Sequence, residues 1–123
     1  MGRKNVVGPY LLFNDVDIST DQTSNFTSIE FLDNCGILCH WTGTSPVGEI
    51  IIEVSSDASN NSSTFTPTNW FPLDFGTAIT VSGNDDTANI NMNQLPYVWL
   101  RARYSRTSGT GNLTMTLFTK MVG

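Results

Sequence analysis

Cys35, Cys39 and His40, the last the only histidine, stand close enough in the chain to suggest chemistry. A cysteine–histidine nucleophile requires the two side chains to meet. Ile37 to Thr42 is apolar on both alternating faces and reads as a short central strand. Neighbouring residues of a strand point to opposite faces. Cys39 therefore turns away from His40, and Cys35 reaches it only through a bend at Gly36. The expectation is a packed core histidine. A zinc site commonly needs two spaced ligand pairs, and this cluster has no second half. Four strand steps set the two cysteine Cα atoms about 13 Å apart, too far for a disulfide. Two free thiols and a reducing site of synthesis are expected.

The carboxylates fare no better as chemical groups. Asp15, Asp17, Ser19 and Asp21 echo the start of an oxygen-rich calcium loop but lack its glycine and its closing glutamate. Asp85-Asp86 is a second acidic turn. Glu49 and Glu53 lie on one strand face about 13 Å apart, too wide for a glycosidase pair, which needs roughly 5–10 Å. Gly109-Thr110-Gly111 is followed by neither lysine nor helix, so it reads as a turn and not a phosphate loop. No catalytic residue, cofactor or metal is expected.

What remains are surfaces, and the elements that present them. From Val98 to Tyr104, Val98, Leu100, Ala102 and Tyr104 alternate with Trp99, Arg101 and Arg103. Leu113, Met115 and Leu117 alternate with Thr114, Thr116 and Phe118. Between them lies a turn-rich stretch, Arg106 to Asn112. This period of two predicts a terminal hairpin with an apolar inner face. Its outer face would carry Trp99, Arg101, Arg103 and Phe118, residue types favoured at interfaces. Trp70 and Phe71, between Pro67 and Pro72, form a second candidate patch at an edge or in a crossing loop.

The chain has 123 residues, of which 40 are Ser, Thr or Asn, while Ala, Glu, Lys and Gln are scarce. Strand and turn formers thus dominate over helix formers. Net charge is −5. An acidic chain with six basic residues is a poor nucleic-acid binder. No apolar run is long enough to span a bilayer, so no membrane partner is expected. Residues 1–9 read as an extended N-terminal arm in which Arg3 and Lys4 bring charge and Val6 and Val7 bring apolar surface. Such an arm gains order by lying on a neighbour. Residues 10–123 read as one domain. Strands are expected at Tyr10–Phe13, Asp15–Asp21, Phe26–Leu32, Ile37–Thr42, Glu49–Ser55, Thr77–Ser82 and Ala88–Asn93, before the hairpin. Gly43–Gly48 reads as a tight connection, and Ile50, Ile52 and Val54 face inward. Eight or nine strands at roughly ten-residue spacing predict an all-β fold, a two-sheet antiparallel β-sandwich of jelly-roll type.

One run of motifs goes further. Trp41-Thr42-Gly43-Thr44, Pro46-x-Gly48, an alternating strand, a tryptophan after a variable loop, Ile90 to Tyr97, and Tyr104 to Leu113 follow in order. This order resembles that of small all-β virion structural proteins of tailed bacteriophages, over about residues 26 to 120. The resemblance implies a non-enzymatic virion protein of the capsid decoration or cement class, packed as a homo-oligomer and made in the host cytoplasm. Its partners would be other virion proteins and itself. A tail or adaptor subunit is the nearest alternative. A carbohydrate-binding domain, with Trp70 and Trp99 as sugar platforms, is the alternative from another class.

Overall fold

The computed structural model describes residues 4–29, 34–57, 65–73, 79–93 and 97–122. Every regular element among them is a strand: β1 Lys4–Asp17, β2 Gln22–Thr23, β3 Thr27–Ser28, β4 Asn34–Ser55, β5 Phe71–Pro72, β6 Ile79–Val81, β7 Asp85–Asn93 and β8 Trp99–Val122. All pair antiparallel in one hydrogen-bonded sheet.

Two of these strands differ in kind from the expectation. The stretch read as a terminal hairpin is one strand, β8, of 24 residues. The short strand, connection and strand from Ile37 to Ser55 are likewise one strand, β4, of 22 residues. β4 and β8 pair with each other from Asn34↔Lys120 to Ser55↔Trp99. A straight strand of 24 residues would span about 80 Å, whereas a domain of this size has a radius of gyration of about 14 Å. Both strands must therefore bend, and the bend is where the turn residues lie. Gly43 sits across from Gly111 and Thr44 across from Thr110, with register shifts on either side of Val47. Gly43 and Gly109 have φ of 144° and 79°, and Ser45 has 48°. A side chain on Gly109 would fall on the Ser45 carbonyl. The glycine- and proline-rich signals were turn chemistry put to another use: they face each other and make a shared corner rather than two chain reversals.

The corner divides the sheet into two layers. The first holds β1, the C-terminal half of β8, the N-terminal half of β4, and β7. The second holds β2 and β3, the N-terminal half of β8, the C-terminal half of β4, and β5 with β6. Leu12, Ile37, Cys39, Trp41, Ile90, Met92, Leu113, Met115 and Leu117 of the first layer join Ile50, Ile52, Val54, Val81, Leu100, Ala102 and Tyr104 of the second in one buried cluster. The fold is thus an all-β, two-layer antiparallel sandwich, with the inward residues of both long strands alternating as the period of two requires.

At the N-terminus, residues 4–7 pair with residues 119–122 of β8, extending β1 through the stretch read as an arm. Arg3 and the side chains of Lys4, Val6 and Val7 lie outside the described residues, as do Glu30 to Leu32 of the expected strand from Phe26, where the strand is Thr27–Ser28 and the Ile29 amide donates to the Val98 carbonyl at 2.8 Å. Thr77 and Ala78 are also outside them. The strand expected over Asp15–Asp21 ends at Asp17, because Asp15 has φ 52° and Asp17 caps a bend through Ser19.

Candidate interaction surface

His40 is not a core residue. Its ring is half exposed on the outer face of the first layer, with Nε2 3.0 Å from Asp85 Oδ1. The strand alternation that separates it from Cys39 holds, but its neighbour Trp41 takes the inward position, 3% exposed. Cys35 and Cys39 are buried free thiols on one inward face. Burial pushes both thiols up, Cys39 to about 12, the opposite of what a nucleophilic cysteine needs. The aspartates near the N-terminus serve the backbone. Asp17 accepts from the Ser19 amide at 2.8 Å and Asp21 from the Arg106 amide at 2.7 Å. Among the described residues no three His, Cys, Asp or Glu side chains converge as a metal site would require.

The aromatic and arginine residues do converge, on the outer face of the second layer. Glu53 lies directly across from Arg101 on β8. Its Oε1 accepts from Arg101 Nε at 2.8 Å and its Oε2 from Arg103 Nη1 at 3.2 Å. Glu53 is 7% exposed. The alternation that sends Ile52 and Val54 inward turns it to the outer face. What buries it is the two guanidinium groups and the chain that lies over them. The Arg101 guanidinium stands 4.3 Å from the centre of the Trp70 ring, a cation–π contact. Trp99 is packed edge-on by Phe26 at 5.5 Å and flanked by Phe65 at 5.8 Å. Its indole N–H donates to the Asp57 carbonyl at 3.0 Å, and that of Trp70 to the Pro67 carbonyl at 3.2 Å.

One carboxylate pins the loop that makes this cover. Asp57 Oδ2 accepts from the amides of Thr68 at 2.7 Å and Asn69 at 2.9 Å, and Oδ1 from the Asn69 side chain at 2.8 Å. These hydrogen bonds, the Asn69 side chain first, hold its carboxyl down to about 2. Trp99, Arg101, Arg103 and Trp70 therefore form a half-buried cluster held by contacts within the chain. Phe26, Phe65, Glu53 and Asp57 complete it. Only Glu53 could be suspected from the sequence, as an acidic mate for the arginines; the others approach from loops whose paths follow no periodicity. Phe71, on β5, is 58% exposed at the border of this cluster. Phe118 does not join it. With the hairpin replaced by a bent strand, Phe118 lies opposite Gly36 on the outer face of the first layer, 41% exposed, with Leu38 at 42% and Leu11 at 47% in the adjoining row of cross-strand partners.

Across 98% of its length the chain is similar in structure to a chain from the structure of infectious bursal disease virus, Gx strain, with a TM-score of 0.54 and 14% sequence identity. It spans 32% of that chain. At this identity the likeness is one of fold. No family model matches the sequence, and no curated protein does.

Proposed function

We propose that the protein is a non-enzymatic structural component of a virion, and most specifically a bacteriophage capsid decoration or cement protein that binds a capsid surface. The observation that carries this reading is the likeness of nearly the whole chain to part of a chain from a virus structure. The order of motifs from Trp41 to Leu113, which resembles that of tailed-phage virion proteins, supports the phage assignment. The side chains with chemical potential add support, since they act within the fold. The thiols are buried, Asp17, Asp21 and Asp57 bind backbone amides, and Glu53 pairs with two arginines. A tail or adaptor subunit is the near variant of the same role. The sugar-platform reading loses ground, because Trp99 is flanked by two phenylalanines and Trp70 carries a guanidinium.

Surfaces for the partner are Phe71, Phe118 and the N-terminal residues Arg3, Lys4, Val6 and Val7. The test is co-pelleting of purified protein with phage capsids that lack it, beside a glycan array. Retention on capsids, lowered by Phe71→Ser or by deletion of residues 1–3, is the expected result. Specific glycan binding without capsid retention would replace this reading with the carbohydrate one.

A further inference from the structure

The two outer strands of the first layer are built differently at their open edges. β1 pairs only with β8, and its register slips three times, between Val7 and Tyr10, Leu11 and Phe13, and Phe13 and Val16. It contains Pro9, and Asp15 has a positive φ. Prolines, bulges and twists of this kind stop a further strand from adding. β7 has none of them. It runs in unbroken register with β4 from Asp85↔Thr42 to Asn93↔Asn34, and among the described residues nothing pairs with its other side.

The hydrogen bonds show which groups that open side presents. The Thr87 amide is bonded to the carboxylate of its neighbour Asp86 at 2.8 Å, so it points away from β4. In an antiparallel ladder, alternate residues direct both backbone groups to the same side. The amides and carbonyls of Asn89 and Asn91 therefore point outward with Thr87, unpaired. Water satisfies such a row in the monomer, and an added strand satisfies it by pairing.

From this edge we infer that the protein forms a two-fold dimer by antiparallel pairing of β7 with β7 of a second copy, centred on Ile90. In that register Asn89 of each copy faces Asn91 of the other. The two residues exchange backbone bonds on either side of the axis, and the Asp86 cap on Thr87 stays in place. The self-pairing suits the charge pattern. Residues 87–93 carry no charge on a chain of net −5. Antiparallel pairing sends the two Asp86 side chains to opposite ends, about 27 Å apart, well beyond the ~10 Å over which salt leaves charges visible to each other. Ile90 meets Ile90 across the axis, and Ala88 meets Met92, so the apolar inner face continues from one copy to the next. Because β1 is blunted, the joined sheet ends at its two β1 strands, and assembly stops at the dimer rather than growing into a fibre. The inference does not depend on a virion role.

The test is sedimentation of the full chain over a concentration series, with amide hydrogen exchange at a low and a high concentration. The expected result is a concentration-dependent dimer whose Asn89 and Asn91 amides gain protection as it forms. Asn91→Pro removes an outward donor and leaves the ladder to β4 intact, so it should stay folded by circular dichroism. It should weaken the dimer by at least roughly tenfold, the equivalent of one or two lost backbone bonds. Should the proline variant fail to fold, Asn89→Lys serves, since it sets a positive charge on either side of the axis. A chain that stays monomeric throughout overturns the inference. So does a dimer in which Asn89 and Asn91 exchange as freely as in the monomer, or one that a folded variant forms as tightly as the parent.

Discussion

Glu53 is where burial and charge meet most closely in this molecule, and its neighbour on the same face, Glu49, is a built-in control. Glu53 is buried between Arg101 and Arg103, while Glu49 is exposed. Removing one member of a fully buried ion pair costs about 3–5 kcal/mol. Both guanidinium groups here keep access to solvent, and Arg101 keeps Trp70. Glu53→Ala should therefore cost about 1–3 kcal/mol, between that value and the small worth of an exposed pair. Glu49→Ala should change stability by less than about 0.5 kcal/mol. Urea denaturation of the two variants measures the difference. Asp57 gives a prediction in pH. Its folded carboxyl titrates at about 2, below the ordinary 3.8, so the loop's hold is complete above pH 3.8 and is lost as pH falls through 2. Trp70 and Trp99 lie against that loop and report on it. Their fluorescence should shift over this acid range in the parent, and Asp57→Asn should remove that part of the shift.

At the scale of elements the corner is decisive. β4 and β8 are each too long for one layer, and they cross between layers at the same place because their bend residues are in register. Gly109 combines a φ of 79° with a backbone neighbour, the Ser45 carbonyl, where a Cβ would lie. Gly36 has ordinary strand geometry, with the nearest atoms to an added Cβ at 3.7 and 3.8 Å. Gly109→Ala should thus cost more than the about 1–2 kcal/mol of a left-handed residue alone, because the carbonyl must also move. Gly36→Ala should be neutral or stabilise by up to about 1 kcal/mol. Thermal melting of both variants checks the pair, and equal melting temperatures would show that the corner tolerates a side chain.

Over the whole molecule the two layers share one core and two strands, and they should unfold together. Leu100 lies in the second layer and Leu117 in the first, at 0% and 2% exposure. Leu100→Ala and Leu117→Ala should each cost about 2–5 kcal/mol, and each should lower a single transition seen alike by fluorescence and far-ultraviolet circular dichroism. Two separated transitions in the Leu117→Ala variant would mean that the layers fold as independent units.

Alternation is a local property, and it was legible without the fold. Leu100, Ala102 and Tyr104, and Leu113, Met115 and Leu117, face the core as their period of two requires, as do Ile50, Ile52 and Val54. The all-β class and the separation of Cys39 from His40 could be read the same way, but which strand pairs with which could not. What the sequence could not distinguish was a turn from a corner. Gly43–Gly48 and Arg106–Asn112 have the composition of chain reversals, since a bend within a strand and a reversal both need glycine and tolerate positive φ. Only pairing between residues some sixty positions apart, Thr44 with Thr110, tells them apart. The same holds for the outer faces. His40 and Trp41 exchange roles according to which side of β4 meets the core. Trp99 and Arg101 become a half-buried cluster only because the loop pinned by Asp57 brings Phe65 and Trp70 against them. Burial on a second face depends on what else in the chain arrives there, and no local pattern carries that information.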